Sequence, residues 1–279
     1  MAQPERWGAM SPTRLTLAAV AFVMPQIGLT ACDAPAEGSA SDENAVCYGT
    51  TIVAVRTPEV FAMAADGEGT FKGRGMPTTS RLVSKIFQKA GLLYAISGLT
   101  KDANRGFDPA AAIASFISVP QPLRKTANDL ERILSNSLRN ELTTLRAEEP
   151  ALFRHAVEGD SRGTSILLAC WENEEPLAIA IHFLGVLDEE GKLTIRTTRL
   201  ACPGDCPNGT FTFFLGHHTA IDKYASERGN RIPMSPEESV RFFVQLEIDA
   251  GTPGVGLPID IVRLDRNGIS WLSGKSNNE

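Results

Sequence analysis

The sequence has no excess of positive charge: 27 Lys and Arg residues are set against 33 Asp and Glu, which gives a net charge of −6. A nucleic-acid-binding protein needs a concentrated basic face, so nucleic acid is excluded as a partner. The sequence also lacks a second Cys or His pair with metal-ligand spacing, and we expect neither a metal site nor another cofactor. At 279 residues and 43% hydrophobic content, the chain is long enough to build one large core.

The apolar run near the N-terminus is too short for a transmembrane helix. It covers residues 15–24, follows two arginines, and has about half the length that a membrane span needs. Both properties are typical of the core of a signal peptide. The run leads to Leu-Thr-Ala-Cys at 29–32, which resembles the lipobox of bacterial lipoproteins. We therefore expect a lipoprotein-type signal peptide over 1–31 and lipidation at Cys32; a plain secretory signal or an apolar N-terminal helix is the alternative.

A polar segment follows the signal peptide. Residues 33–46 are small and polar, with too little apolar surface to offset the entropy of ordering. We predict a flexible tether or propeptide over 32–49 and a single domain over 50–279. The first 49 residues hold two basic and five acidic side chains, so a chain that begins at Thr50 carries a net charge of −3.

Two short strands are predicted directly after the tether. Residues 49–56 and 60–66 are apolar and rich in β-branched side chains, and a Thr-Pro-Glu turn joins them. Thr50 opens the first strand and Asp66 ends the second. Lys85 follows on a later short strand, and a third apolar run ends at Gly98.

The spacing of these residues resembles the N-terminal-nucleophile hydrolases, and within them the proteasome β subunits and their bacterial ATP-dependent protease relatives. That family has a Gly-Thr junction before its first strand, here Gly49-Thr50. It has an Asp sixteen residues after the Thr, as Asp66 is here, and then a Lys about a dozen residues before a small-Gly pair, as Lys85 precedes Gly98 by thirteen. The loop between Asp66 and Lys85 is two or three residues longer than the usual pattern.

The resemblance implies roles for these residues. The Gly49-Thr50 bond cleaves itself, and the freed Thr50 becomes the nucleophile. Its own α-amine is the base, because a reference pKa of about 7.7 to 8 leaves it partly neutral near pH 7. Lys85 favours the alkoxide, Asp66 keeps Lys85 charged and oriented, and the backbone N–H of Gly98 stabilises the oxyanion. As ordinary structural residues, these would be strand threonines, a turn aspartate and a solvated lysine.

The rest of the pattern predicts an α+β chain. A capped helix is expected at Asp108-Pro109, an apolar stripe runs from Leu130 to Leu145, and three strands follow between 164 and 200. A strand at 211–216 precedes helical residues, then a helix with a capping box at Ser235 and Glu238, and a final hairpin over 258–272. Periodicity supports antiparallel sheets with helices. The resemblance implies a four-layer αββα sandwich of two antiparallel sheets between helix layers.

The chain departs from the family pattern at the residues that support the catalytic group in that family. A Gly-Ser-Gly-type turn, whose Ser supports the catalytic amine, reads Gly216-His217-His218 here. His217 is interpreted as a replacement for this Ser, as a substrate contact, or, our preference, with His218 as a surface residue at a helix start. A supporting Asp and Ser before the last strand pair are absent from 251–256.

The cysteines allow several interpretations. Cys202 and Cys206 are four residues apart and could close a small loop as a disulfide, which is compatible with an oxidising compartment, or they could belong to a zinc site. Cys47 is a rival N-terminal nucleophile, but a cut there would put Asp66 and Lys85 out of register. A disulfide from Cys47 to Cys170 would keep a cleaved leader attached.

Three functional hypotheses follow. We expect an exported threonine-type peptidase or amidohydrolase, in the periplasm or on the outer surface, that acts on peptides or small amides and contacts the membrane only through its lipid anchor. The second hypothesis is a non-catalytic lipoprotein scaffold that is never processed. The third keeps the chemistry in the cytoplasm, with residues 1–49 as a propeptide. The resemblance also implies assembly of several copies of the chain.

Overall fold

The computed structural model describes residues 45–73, 78–102, 106–158, 163–206, 209–228 and 234–274. In these ranges the strands are β1 Ala45–Tyr48, β2 Thr51–Arg56, β3 Phe61–Asp66, β4 Glu68–Gly73, β5 Thr79–Leu82, β6 Ile86–Lys89, β7 Leu92–Gly98, β8 Lys101–Asp102, β9 Thr164–Glu172, β10 Glu175–Leu187, β11 Leu193–Cys202, β12 Phe211–Gly216, β13 Ile259–Asp265 and β14 Gly268–Ser273. The helices are α1 Pro109–Phe116, α2 Leu123–Glu148, α3 Pro150–Glu158, α4 Thr219–Arg228 and α5 Pro236–Asp249.

Two five-stranded antiparallel sheets form the centre of the fold. Their strand orders are β11-β10-β9-β7-β6 and β12-β2-β3-β13-β14. One core lies between the sheets, a second lies between the first sheet and α1 to α3, and a third lies between the other sheet and α4 and α5. The predicted α+β class with αββα layer order is confirmed.

Strand β2 shows why its sequence reads as a continuous apolar run. Ile52 and Ala54 face the core between the sheets, while Val53 and Val55 face the core under α4 and α5. All six residues of β2 are buried, because a sheet covered on both faces has no solvated side. β2 is also flanked by β12 and β3, so it is a central strand.

The helix ends follow the sequence signals. Asp108 caps α1 by accepting a hydrogen bond from the N–H of Ala111 at 2.8 Å, and Pro109 is the first helical residue. Ser235 and Glu238 form the predicted capping box at α5. In α2 the stripe of leucines from Leu130 to Leu145 is buried against the first sheet.

A third, four-stranded sheet was not predicted. Its order is β5-β4-β1-β8, and it includes residues that the sequence assigns to a tether and to a glycine-rich loop at 67–75. Residues 33–44 of the tether lie outside the described ranges, but its last residues, Ala45–Tyr48, pair with β4 and β8. This backbone pairing satisfies the polar groups of a segment whose side chains alone gave no strand pattern. The first helix begins at Pro109, as the sequence predicts, and the short strand β8 lies between Gly98 and this helix.

Cys202 and Cys206 are joined by a disulfide at the end of β11, with 5.2 Å between their Cα atoms. Cys170 carries a free thiol, so the bridge from Cys170 to Cys47 is absent. The signal peptide and Cys32 lie outside the described residues. Within the described part of the chain, no helix combines the length and apolar character that a membrane span requires.

Candidate functional site

Thr50 lies at the entrance to β2 and is 1% exposed. Its Oγ1 donates a hydrogen bond to the carbonyl oxygen of Gly49, and its own carbonyl oxygen accepts one from the N–H of His217 at 2.8 Å. Gly49 has a φ of +89°, in the left-handed region that favours glycine. The hydroxyl of Thr50 is thus held against the carbonyl group that precedes it.

Asp66 and Lys85, whose pairing the family resemblance implies, form a buried ion pair. Nζ of Lys85 lies 2.7 Å from Oδ1 of Asp66, and the two side chains are 4% and 0% exposed. The same Oδ1 accepts the N–H of Thr51 at 2.8 Å, while Oδ2 accepts those of Gly256 at 3.1 Å and Glu68 at 3.2 Å. Asp66 therefore connects Lys85 to the residue next to Thr50.

Two opposing effects act on the pKa of the Asp66 carboxyl. Burial raises the pKa of the Asp66 carboxyl, because desolvation disfavours the charged form. The positive charge and hydrogen bond of Lys85, and the backbone N–H groups of Thr51 and Gly256, act in the opposite direction. The carboxyl is held in place by partners that each favour its ionised form.

A cavity of about 410 Å³ adjoins this cluster. Gly49, Thr50 and Lys85 are all among the residues that line it, so the Gly49-Thr50 bond and Lys85 border the same space. The other lining residues are Phe71, Arg81, Leu82, Val83, Ser84, Phe87, Ile96, Thr100, Lys101, Asp108 and Ala110. Six of these side chains are apolar. Together with Lys85, the lining carries three cations and one carboxylate. A ligand could approach Thr50 through this space.

Gly98 ends β7 with a φ of +85°. A Cβ at this position would lie 2.3 Å from the carbonyl oxygen of Gly163, so only glycine fits here. Ile96 and Thr100, two residues on either side, line the cavity beside Thr50. Gly98 itself, the expected oxyanion donor, is not among the residues that line the cavity.

Gly216 and His217 hold the start of β2 from the other side. Oγ1 of Thr51 donates to the carbonyl oxygen of His217 at 2.8 Å, which complements the bond from His217 N–H to Thr50. A Cβ on Gly216, whose φ is +80°, would lie 1.9 Å from the carbonyl oxygen of Thr50. The preferred interpretation of His217 as a surface residue is wrong: it is half-buried, and its N–H donates to the carbonyl oxygen of Thr50.

The histidine rings form a polar group behind this contact. Burial lowers the pKa of His217; Glu247 and Asp66 raise it, while Lys85 and His218 lower it further. His218 Nδ1 lies 2.8 Å from Oδ2 of Asp222. His182, which the sequence left without a role, has its Nδ1 2.8 Å from Oγ of Ser165, and burial lowers its pKa as well. No local motif marks this group, because four separate elements contribute to it.

The loop at 251–256 also reaches the site, although it lacks the expected Asp and Ser. Its Gly256 donates its N–H to Asp66 and accepts the N–H of Gly67 at 3.0 Å through its carbonyl oxygen. Glu247, fully buried on α5, accepts the hydroxyl of Thr252 at 2.6 Å and the N–H of Ile221 at 2.9 Å. Backbone donors thus support Asp66 where the family pattern has side chains.

The disulfide at Cys202 and Cys206 packs in the core between the sheets and does not line the cavity. Among the described residues, no group of three or more His, Cys, Asp or Glu side chains is arranged to hold a metal ion. The close cysteine pair is therefore occupied by its own disulfide bond and not available as zinc-binding thiolates.

Comparison with known proteins gives a structural likeness and no sequence match. No protein-family model and no curated protein matches this chain. Among solved structures, the chain is similar to the Anbu (Gly-1) mutant from Hyphomicrobium sp. strain MC1, with 15% identity and a TM-score of 0.48. The alignment covers 81% of this chain and 86% of that one. A likeness at this level assigns no activity, so the function below rests on the geometry of the site.

Proposed function

We propose that this chain is a threonine-type N-terminal-nucleophile hydrolase that cuts its own Gly49-Thr50 bond and then hydrolyses peptide or amide bonds. The observation that carries the proposal is the hydrogen bond from Oγ1 of Thr50 to the carbonyl oxygen of Gly49. It lies in a buried site that also holds the Lys85–Asp66 ion pair. A nucleophile, a scissile carbonyl and a charge to stabilise the alkoxide are therefore assembled in the uncut chain.

Self-cleavage needs a short movement of the Thr50 side chain. The carbonyl carbon of Gly49 lies one bond, about 1.2 Å, beyond the oxygen that Oγ1 now contacts. Oγ1 attacks that carbon, and its proton passes to the Thr50 nitrogen as the tetrahedral intermediate collapses and the C–N bond breaks. The acyl group has then moved from nitrogen to oxygen, and the α-amine of Thr50 is free while an ester joins Gly49 to Oγ1. Water then hydrolyses the ester, giving a carboxylate on Gly49 and restoring the hydroxyl of Thr50.

Turnover repeats these steps with an external substrate. The free α-amine takes the proton from Oγ1, which attacks the substrate carbonyl and forms an acyl ester. The proton passes to the leaving amine, and water hydrolyses the ester. The ammonium of Lys85 lowers the pKa of the hydroxyl and stabilises the alkoxide, while Asp66 holds that ammonium in place. The N–H of Gly98 is the proposed donor to the oxyanion.

The pairing of β1 supports extended peptides as the substrate class. The segment before the scissile bond runs antiparallel to β4 and β8, so the acyl side of the bond is held as a strand. Small amides would use the cavity without this pairing. The proposed precursor is exported and lipid-anchored at Cys32, and the cut at Gly49-Thr50 breaks the covalent link between the enzyme and that anchor. The enzyme assembles with further copies of itself, and because the periplasm lacks ATP, short peptides suit it better than unfolded proteins delivered by an ATPase.

A non-catalytic scaffold is the second candidate function. It is favoured by the segments that lack the supporting side chains of the family, Gly216-His217-His218 and 251–256. In that case the Gly49-Thr50 bond would stay intact, and strand β1 would be a permanent part of the third sheet. The two candidates differ in one measurable property, the covalent integrity of the chain.

The test is the intact mass and N-terminal sequence of the purified protein. We expect wild type to begin at Thr50, Thr50→Ser to be cut, and Thr50→Ala to remain whole. Asp66→Asn and Lys85→Ala should slow cutting by at least about a hundredfold, since each disrupts the buried ion pair next to the nucleophile. Thr51→Ser is the matched control and should be cut normally. An uncut wild type would overturn the proposal in favour of the scaffold. Cutting in Thr50→Ala would overturn self-cleavage by Thr50.

A further inference from the structure

In the described part of the third sheet, β1 is the only strand that pairs with both β4 and β8. Val46 and Cys47 pair with Lys72 and Phe71 of β4 on one side and with Asp102 and Lys101 of β8 on the other. The order β5-β4-β1-β8 shows that β4 and β8 do not pair with each other. Without β1, the sheet would contain a slot one strand wide.

This slot ends at the scissile bond. Tyr48 is the last residue of β1, Gly49 follows, and the cut is at Gly49-Thr50. Hydrolysis of that bond changes none of the backbone pairs between β1 and its neighbours. On the proposed function, we infer that the segment ending at Gly49 stays bound in the slot after the cut, where it is a non-covalent, autoinhibitory strand that a substrate must displace.

The new charges favour retention. Hydrolysis leaves a carboxylate on Gly49 and an ammonium group on Thr50, and the buried Lys85 lines the same cavity. The cavity also presents Arg81 and Lys101, both exposed, against the single carboxylate of Asp108. A carboxylate in a cavity with more cations than anions gains Coulomb energy, mostly from the buried ammonium group, because solvent screens the exposed cations. The cut therefore adds attraction between the segment and the body.

The segment is nevertheless replaceable. Gly49 lines the cavity but puts no side chain into it, so the apolar walls formed by Val83, Phe87 and Ile96 stay uncovered by the chain's own strand. In the uncut chain Gly49 has a φ of +89°, and a Cβ there would meet Gly254 and Thr70 instead of these walls. The last residue of a free peptide has no bond to Thr50, so in an extended conformation an apolar side chain at that place can turn toward the walls and bury that surface. Complete burial of a large apolar side chain improves affinity by about ten- to a hundredfold. The inhibitor is weaker than a substrate of this kind.

Mass spectrometry of the purified wild-type protein tests the inference. Under denaturing conditions we expect two masses, the body from Thr50 and the segment ending at Gly49. Under native conditions we expect a mass equal to their sum, or to a whole multiple of that sum when several copies assemble. Two denatured masses with a native mass of the body alone would overturn the retained strand and leave the proposed function standing. A single uncut mass would overturn the proposed function, and this inference with it, since no free segment then exists.

Displacement by peptides locates the retained segment. Ala-Val-Ser-Tyr-Phe, which follows residues 45–49 with Ser for Cys47 and Phe for Gly49, should release the segment at a concentration at least about tenfold lower than Ala-Val-Ser-Tyr-Gly. The Phe peptide with an N-methyl group on its Val should release little, because it loses one backbone donor and gains a clash in the slot. Equal release by all three peptides would show that the segment is not held between β4 and β8. Release by none of them would show that a peptide substrate cannot displace the segment, which would overturn the autoinhibitory role.

Discussion

Nζ of Lys85 lies 2.7 Å from Oδ1 of Asp66, and both side chains are buried. Two charges in such a site depend on each other more than either depends on solvent. Asp66 also has three backbone N–H donors, from Thr51, Glu68 and Gly256. Removal of the carboxylate and removal of the ammonium group should therefore have different costs.

Asp66→Asn should destabilise the protein by about 3–5 kcal/mol, because it leaves the ammonium of Lys85 buried without its counter-charge. Lys85→Met should cost less, since Asp66 keeps its backbone donors and its pKa is already raised by burial. The double variant should be more stable than the two single losses predict. Denaturant unfolding in a Thr50→Ala background, where no cut occurs, measures all three; strict additivity would contradict the coupling.

Gly216→Ala should block self-cleavage. The added Cβ would lie 1.9 Å from the carbonyl oxygen of Thr50, so the residue that carries the nucleophile must move. Gly251→Ala is the matched control, because Gly251 also has a positive φ, +68°, but open space around its Cβ position. Both variants should lose about 1–2 kcal/mol from backbone strain, and only Gly216→Ala should also lose cutting, as followed by intact mass. Normal cutting in Gly216→Ala would contradict the contact.

Stability should fall as the pH drops below about 6.5. Burial, and then His218, lowers the pKa of His182, so the folded protein favours the neutral ring. The stabilisation from the depressed pKa is complete above the unfolded value of about 6.5 and is lost as pH falls through it toward the folded value. The slope is at most about 1.4 kcal/mol per pH unit for one histidine. His182→Gln should show a shallower loss between pH 7.5 and 5.5 in denaturant unfolding.

The comparison of wild type with His182→Gln is needed because other groups also titrate in this pH range or below it. The pKa of His217 is lowered in the same way, so His182→Gln should retain part of the slope. Asp66, whose pKa is raised, acts in the opposite direction at lower pH, since protonation of a buried carboxyl favours the folded state. An identical pH dependence in wild type and His182→Gln would exclude His182 as a contributor.

Loss of the disulfide should cost about 2 kcal/mol, the value expected when a loop of five residues is freed. The double variant Cys202→Ala with Cys206→Ala should therefore unfold at a lower denaturant concentration. A reductant should lower the midpoint of wild type but not that of the double variant. Cys170→Ala is the control: its free thiol forms no bridge, so reductant should still affect this variant as it affects wild type.

The sequence predicts the parts of the site that depend on order along the chain. The apolar runs of β2 and β3 are continuous because both faces of their sheet are covered. The polar residues at the ends of these runs, Thr50 and Asp66, can therefore be located in the sequence. Lys85 and Gly98 follow from spacing in the same way. Helix signals such as the capping box at Ser235 are local and are reproduced in the structure.

The remaining parts depend on contacts that leave no local pattern. β1 is a strand because β4 and β8 supply backbone partners on both sides, not because its side chains alternate. Gly256 supports Asp66 through its N–H group, which any non-proline residue possesses. His217 reaches Thr50 across 167 positions of sequence, again through main-chain atoms. Backbone contacts between distant segments are invisible to motif reading.

The central place of β2 has a consequence for the residue that a cut would expose. A chain terminus usually frays, because few bonds hold its last residue. Thr50 would instead become a terminus already held by His217 through its carbonyl group, with Thr51 held by Asp66 and by pairing with Gly216. Cleavage would thus create a first residue whose conformational entropy was lost during folding of the precursor, and the reactive amine would be rigid from the moment it forms.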